Sequence, residues 1–97
     1  MTEDLCVDKW VPAFGPVRVC GHHSYVVIIR RNGYVTIYVV NNGNGLDVSL
    51  WRIVKARGVA FDYERGTVTV TTGESRLRLR NPLVVVEGRS GWEEVMV

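Results

Sequence analysis

Apolar and β-branched residues dominate two runs of the chain, 24–30 and 34–40, on either side of a short polar segment. At its centre is Asn32-Gly33, and such a pair between strand-forming runs indicates a β-hairpin with a two-residue type I′ turn. In that register one face holds Tyr25, Val27, Ile29, Arg31, Tyr34, Thr36 and Tyr38. The opposite face, which we expect to be core, holds Val26, Ile28, Val35, Ile37 and Val39.

The second half of the chain predicts a meander with turns at Arg65-Gly66 and Gly73-Glu74. Alternation places an apolar set on one face: Val59, Phe61, Tyr63, Val68, Val70, Leu77 and Leu79. A polar set takes the other: Ala60, Asp62, Glu64, Thr67, Thr69, Thr71, Arg76, Arg78 and Arg80. Two more strands, over 83–87 and 92–97, follow the break at Asn81-Pro82, and a turn at Ser90-Gly91 would set Glu87 opposite Glu94. Near the start of the chain, 6–11 and 17–20 indicate two short strands.

A helix is predicted over 46–57, because the apolar residues there fall within one arc of a helical wheel. That arc contains Leu46, Leu50, Trp51, Ile53 and Val54, with Ser49, Arg52 and Lys55 opposite. Asp47 or Asn44 can cap the start of the helix, and Gly58 suits its end. Trp51 is then expected to be core, since a strand interpretation accounts only for Leu46, Val48 and Leu50.

The stretch over 45–51, Gly-Leu-Asp-Val-Ser-Leu-Trp, resembles the joint between strand and helix in the positive-cofactor and Whirly families of single-stranded DNA binders. The resemblance covers about a third of the chain. It implies a helix following a sheet, and it transfers no functional residues. Those families place four strands before their helix, whereas three or more predicted strands follow it here.

These elements predict one mostly-β domain, 1–97, built as a strongly twisted antiparallel sheet or partly open barrel of six to eight short strands with one helix. A chain of 97 residues suits a single domain. No apolar run approaches the roughly 18 residues of a membrane span. The acidic start, Met1-Thr-Glu-Asp, lacks the features of a secretory signal, so we expect a cytoplasmic protein.

The amino-acid composition helps to decide whether the two cysteines form a disulfide. Arginine supplies ten of the twelve basic residues, glutamine is absent and nineteen residues are valine, which favours a hyperthermophile. Intracellular hyperthermophile proteins do form disulfides, so we expect Cys6 and Cys20 to be bridged. The alternative is a zinc site made by these cysteines with His22 and His23, but the ligand spacing is poor and we predict no metal and no cofactor.

Three arginines alternate with leucines over 76–80. A strand would therefore present Arg76, Arg78 and Arg80 on one side about 6.6 to 7 Å apart, close to the spacing of phosphates along a nucleic-acid strand. Arginine binds phosphate through two hydrogen bonds at once. The alternative is a solvated sheet face on which these arginines pair with Asp62 and Glu64, as in thermophile ion-pair networks.

The hairpin face carries the second candidate surface. Tyr25, Tyr34 and Tyr38, with Arg30 and Arg31 nearby, could stack single-stranded bases on an open sheet. The same face also holds Val27 and Ile29, so a dimer interface or a second packed layer is the competing interpretation.

Catalytic residue types form only a generic set, Cys20, His22 or His23, Asp62 and Glu64, without a recognised motif, so we predict that the protein is not an enzyme. The net charge of +2 does not by itself imply nucleic acid. The prediction is nevertheless a small nucleic-acid-binding or accessory protein whose partner is single-stranded DNA or RNA. The alternative is a structural or interaction module, a homodimer or a subunit of a larger assembly, that uses the Tyr/Val/Ile face.

Overall fold

The computed structural model describes residues 5–12 and 14–97. Within them lie ten β-strands and no helix. In chain order the strands are β1 (Cys6–Val11), β2 (Gly15–Cys20), β3 (Tyr25–Ile29), β4 (Tyr34–Asn41), β5 (Asp47–Lys55), β6 (Gly58–Asp62), β7 (Thr67–Thr71), β8 (Arg76–Arg80), β9 (Pro82–Glu87) and β10 (Trp92–Val95). The mostly-β prediction is thus confirmed, but the described residues form ten strands rather than the six to eight predicted. The acidic segment at the N-terminus lies outside the described residues.

The strands form three sheets that do not close into a barrel. The central sheet has five strands in the order β10-β9-β3-β4-β5, and the other two are the β1-β2 hairpin and the three-stranded sheet β6-β7-β8. Every hydrogen-bonded pair is antiparallel except β3 with β9, which is parallel. The prediction of a wholly antiparallel sheet is therefore wrong at the centre of the molecule.

Each face of the central sheet is covered by one of the smaller sheets. The β1-β2 side buries Val11, Val17, Val19, Val26, Ile28, Tyr38, Leu46, Leu83 and Val85. The β6-β7-β8 side buries Val27, Val35, Ile37, Val68, Val70, Leu79 and Val84. Strands β3 and β9 lie at the middle of this arrangement with both faces covered, which explains their unbroken apolar sequences.

Asn81 alone carries the chain from the three-stranded sheet into the central one. It takes a left-handed conformation, φ 50°, which asparagine tolerates better than most residues. Its N–H donates to the carbonyl of Gly66 at 2.8 Å, and its carbonyl accepts the N–H of Ser24 at 2.9 Å. The corner therefore ties β8 and β9 to two other loops, and holds the outer sheet against the central one.

The hairpin register differs from the prediction by one residue. Val27 faces Ile37 and Ile29 faces Val35, whereas a two-residue turn at Asn32-Gly33 would set Val27 opposite Tyr38. The loop has three residues rather than two: the N–H of Gly33 donates to the carbonyl of Arg30 at 3.1 Å, and Gly33 has φ 91°. A loop with one extra residue in the left-handed conformation is the next commonest hairpin type.

This single-residue shift exchanges the faces of β4. Thr36 and Tyr38 lie on the β1-β2 side with Val26 and Ile28. Val35 and Ile37 lie with Val27 on the side of the three-stranded sheet.

The predicted helix over 46–57 is wrong, because this segment is strand β5, paired with β4. The register shifts between Tyr38, which faces Leu50, and Ile37, which faces Arg52, so Trp51 is the extra residue of a β-bulge. A bulge inserts one residue into the alternation of side chains between the two faces of a strand. The apolar residues on either side of Trp51 are therefore spaced as they would be on one face of a helix. Trp51 is 46% exposed, not core, and the helix that the resemblance to the DNA-binding families implied does not exist.

The faces predicted for the second half are confirmed. Thr71 faces Arg76, as the Gly73-Glu74 turn requires, and the N–H of Thr72 donates to the carbonyl of Ser75 at 2.8 Å. The β6-β7 loop is longer than predicted, since Asp62 rather than Glu64 faces Thr67. A shift of two residues leaves the side chains within β6 and β7 on their predicted faces. Tyr63 and Glu64 lie in the loop instead, and Tyr63, predicted on the apolar face, is 65% exposed.

The final hairpin avoids the like-charge pair predicted at its end. Glu87 faces Trp92, and Glu94 faces Val85. The connecting loop spans 88–91, and the N–H of Gly88 donates to the carbonyl of Gly91 at 2.6 Å. The longer loop therefore separates the two carboxylates that a tight Ser90-Gly91 turn would have set opposite each other.

Candidate nucleic-acid interface

The arginine ladder, Arg76, Arg78 and Arg80, lies along the outer face of β8. All three side chains are exposed, and each faces a threonine of β7. The pairs are Arg76 with Thr71, Arg78 with Thr69 and Arg80 with Thr67. The alternating Leu79 is only 2% exposed and packs against the central sheet. Burial of the leucines fixes which face of β8 points inward, and so directs the arginines outward.

The acidic residues beside the ladder do not pair with it. Asp62 accepts the backbone N–H of Arg65 at 3.1 Å and lies 3.7 Å from the Nε of the same residue. Among residues 5–12 and 14–97, no carboxylate oxygen comes within 4.0 Å of the guanidinium groups of the ladder. The ion pairing that we considered as the alternative role of these arginines is therefore not seen in this part of the chain.

An open groove lies at the Arg80 end of the ladder. It is lined by Glu64, Arg65, Thr67, Arg78 and Arg80 and has a volume of about 430 Å³. Three guanidinium groups and one carboxylate give it a net positive charge, which suits an anion. The groove adds Arg65 to the predicted site, and sequence reasoning missed that residue because it treated Arg65 only as part of a tight turn.

The three tyrosines of the second candidate surface do not share a face. Tyr25 lies on the side of the three-stranded sheet, with its ring centroid 6.2 Å from that of Trp51. Tyr38 is 8% exposed on the opposite side, and burial raises the pKa of its hydroxyl. Tyr34 is exposed, with the Nζ of Lys55 5.4 Å from its ring. The predicted stacking surface for bases is thus not assembled, because the hairpin register differs.

Arg30 and Arg31 connect the β3-β4 hairpin to the β9-β10 hairpin. The guanidinium carbon of Arg30 lies 5.8 Å from the ring centre of Trp92. The backbone N–H of Arg31 donates to Oε1 of Glu87 at 3.1 Å. These contacts provide a structural role for both residues, and their part in binding nucleic acid stays a prediction.

Cys6 and Cys20 face each other on β1 and β2, and their sulfur atoms lie 2.00 Å apart, at disulfide distance. The zinc site considered above would need both sulfurs as separate thiolate ligands. Among the residues that the structure describes, no group of three or more His, Cys, Asp or Glu side chains is placed to hold a metal.

The rings of His22 and His23 are in contact in the turn after β2, with centroids 4.1 Å apart and planes tilted by 48°. Nδ1 of His23 accepts the N–H of Cys20 at 3.0 Å. Burial, and then the neighbouring His22, lower the pKa of His23 from 6.5 to about 4. His23 is therefore neutral at physiological pH and acts as a hydrogen-bond acceptor that closes the turn.

The generic catalytic set is divided between two places. His22 and His23 line a small cleft of about 100 Å³ with Glu94 and the last residues of the chain. Glu64 instead lines the groove beside the arginine ladder. Neither cavity contains a histidine together with Asp62 or Glu64, so the structure does not assemble the set that the sequence offered.

Strand β5 presents exposed apolar residues that sequence reasoning missed. Leu50 is 56% exposed and Ile53 is 58% exposed, although the predicted helix assigned both to its buried arc. The available signal was the alternation of Leu46, Val48 and Leu50, which indicated a strand before the bulge interrupts it. This edge is a second surface with the character of an interface.

Comparison with protein-family models, with curated proteins and with solved structures gave no match. Within the described residues, no helix is long and apolar enough to cross a membrane.

Proposed function

We propose that the protein binds nucleic acid through the arginine ladder, with Arg65 at the edge of the same surface. The observation that carries this proposal is a row of three exposed guanidinium groups on one strand with no carboxylate among the described residues within ion-pairing distance. Arginines in a structural ion-pair network would be engaged with acidic partners. Unengaged arginines at phosphate spacing are instead typical of a surface that contacts a polyanion.

The chemistry of the surface favours contact with the phosphate backbone. Alternate residues of β8 lie about 6.6 to 7 Å apart, and this distance matches the spacing of successive phosphates along an extended single strand. Thr71 and Thr69 of β7, which are half-buried, stand beside Arg76 and Arg78 and offer hydroxyl donors, whereas Thr67 beside Arg80 is buried. Because the facing residues of β7 and β8 on this side are threonine and arginine, we expect affinity with little base preference.

The test measures the salt dependence of binding to a single-stranded and a duplex probe. Each phosphate contact contributes about 0.7 to 0.9 to the slope of log K against log salt, so Arg76→Ala, Arg78→Ala and Arg80→Ala together should lower that slope by about 2 to 3. The control replaces Arg18 and Arg89 by alanine, which removes charge from exposed positions outside the three-stranded sheet. Equal losses per charge removed in the two variants, or no binding by the wild-type protein at low salt, would contradict the proposal.

The interaction-module function is favoured by a different observation, the exposed apolar edge of β5. The Tyr/Val/Ile face expected to serve it is divided between the two buried layers of the molecule. An apolar interface would keep its strength as salt rises, whereas arginine–phosphate binding weakens steeply. Salt dependence therefore separates the two functions.

A further inference from the structure

Strand β5 forms one border of the central sheet over nine residues, Asp47–Lys55. Among residues 5–12 and 14–97, no strand pairs with it on the side away from β4. Natural proteins usually shorten, charge or cover such an edge, because its free N–H and C=O groups can pair with another chain. The edge of β5 instead carries Leu50 and Ile53 in exposed positions.

The hydrogen bonds of β4 show which backbone groups of β5 are free. Val40 N–H donates to the Ser24 carbonyl at 3.0 Å, and Arg30 N–H donates to the Tyr34 carbonyl at 2.9 Å. The even-numbered residues of β4 therefore bond to β3, and the odd-numbered ones face β5, because the two sides alternate along a strand.

The odd-numbered residues of β4 are paired with Asp47, Ser49, Arg52 and Val54 of β5. The remaining residues of β5 outside the bulge direct their N–H and C=O groups to the free edge: Val48, Leu50, Ile53 and Lys55. One of these donors is already engaged, since the N–H of Val48 donates to Oδ1 of Asp47 at 2.9 Å. Because the Asp47 side chain accepts this N–H, the N–H of Val48 is not used for pairing with β4.

The bulge at Trp51 limits how this edge can pair with a copy of itself. In an antiparallel self-pairing, free backbone groups must meet free backbone groups on both halves of the strand. Because the bulge changes the phase between Leu50 and Ile53, only one register satisfies this condition along the whole strand. That register sets Leu50 opposite Ile53 of the second copy. It also sets Val48 opposite Lys55 of the second copy, where the N–H of Val48 exchanges the Asp47 carboxylate for the partner strand.

The side chains agree with the same register. Leu50 and Ile53 lie on one face of the sheet, since their partners Tyr38 and Thr36 do, so two copies would join four exposed apolar side chains into one cluster. Trp51 would face Arg52 of the second copy, and within one chain the Arg52 guanidinium carbon already lies 5.2 Å from the Trp51 ring centre.

We propose that β5 pairs antiparallel with β5 of a second copy of this chain, which joins the two five-stranded sheets into one continuous sheet about a two-fold axis between Trp51 and Arg52. A closed two-fold interface uses the same edge of both copies and leaves no free β5 edge for further pairing. The arginine ladder lies on a different sheet, so this inference is independent of nucleic-acid binding.

Light scattering coupled to size exclusion tests the dimer, with an expected mass of twice 10.9 kDa for the wild-type protein. Ile53→Pro removes an N–H that faces the edge and takes no part in the β4-β5 ladder, so the fold should survive while the dimer is lost. Leu50→Arg, which leaves the backbone intact, should also give a monomer. The matched control is Trp10→Arg, at an exposed apolar residue of β1, and it should remain a dimer.

Cysteine cross-linking tests the register. An equal mixture of Leu50→Cys and Ile53→Cys chains should form intermolecular disulfides, whereas Leu50→Cys alone should not, because the two copies of residue 50 are not opposite each other. A wild-type protein that stays monomeric up to about 100 μM, beyond the range of a specific dimer, would overturn the proposal. Cross-linking of Leu50→Cys alone as efficient as that of the mixture would overturn it as well.

Discussion

Cys6 and Cys20 are opposite partners of the β1-β2 ladder, and the bridge they form closes the hairpin that covers one face of the central sheet. We therefore expect neither Cys6 nor Cys20 to react as a free thiol in protein purified without reductant. A loop of about 15 residues closed by a disulfide contributes about 3 kcal/mol in the chain-entropy model, so the double change to alanine should lower stability by about that amount. Free-thiol titration and chemical unfolding measure the two effects, and two reactive thiols in the native protein would contradict the prediction.

Replacing Gly33 by alanine should lower the stability of the protein more than replacing it by asparagine. Its φ of 91° lies in the left-handed region, and a Cβ there would meet nothing within 4 Å, so the cost comes from the backbone alone. We expect Gly33→Ala to cost about 1 to 2 kcal/mol and Gly33→Asn less, because asparagine accepts left-handed backbone more readily. Urea unfolding measures both. Equal stabilities of the two variants and the wild-type protein would mean that the three-residue loop is not formed.

His23 should make stability depend on pH in the acid range. Its pKa is lowered from 6.5 to about 4 in the folded state, so between these values the unfolded chain binds a proton that the folded protein does not. Stability should therefore fall as pH drops from about 6.5 towards 4, and this loss is complete below the folded pKa. Protonation also removes the acceptor for the N–H of Cys20, because both nitrogens of the charged ring are donors.

His23→Asn is the matched variant for this effect, since its side-chain oxygen can accept the same N–H without titrating. We expect the melting temperature of the wild-type protein to fall more between pH 7 and pH 4.5 than that of His23→Asn. The carboxylates titrate in both proteins, so their contribution cancels in the difference. Parallel falls in the two proteins would show that His23 does not carry the pH dependence.

For β7 and β8, strict alternation in the sequence predicted both the faces and the register. The run over 76–80 keeps its period of two without interruption, and the turn at Gly73-Glu74 leaves one pairing that buries the leucines. The arginine ladder was therefore found from sequence alone. The Asn32-Gly33 pair is different, because a two-residue and a three-residue loop both use it and only packing of the finished sheet decides between them.

Two other features could not be predicted from the local sequence pattern. The bulge at Trp51 depends on how β5 meets β4, and without that partner its apolar spacing fits a helix. The parallel pairing of Val27 with Val84 joins segments far apart in the chain, so no turn sequence between them indicates that these strands pair. The predicted tyrosine surface is divided because of the β3-β4 hairpin loop: the one-residue change of register puts Tyr25 and Tyr38 on opposite faces.

The arginine ladder should be dispensable for folding. Arg76, Arg78 and Arg80 are exposed, and no carboxylate of the described residues lies within ion-pairing distance of them, so their joint replacement by alanine should change stability by no more than about 0.5 kcal/mol per site. Leu79→Ala, one residue from Arg80 on the buried face, should instead cost about 2 to 5 kcal/mol. Unfolding in guanidinium chloride compares the variants under one condition. A large loss of stability in the triple variant would assign the ladder to the fold, and would remove the observation on which nucleic-acid binding is proposed.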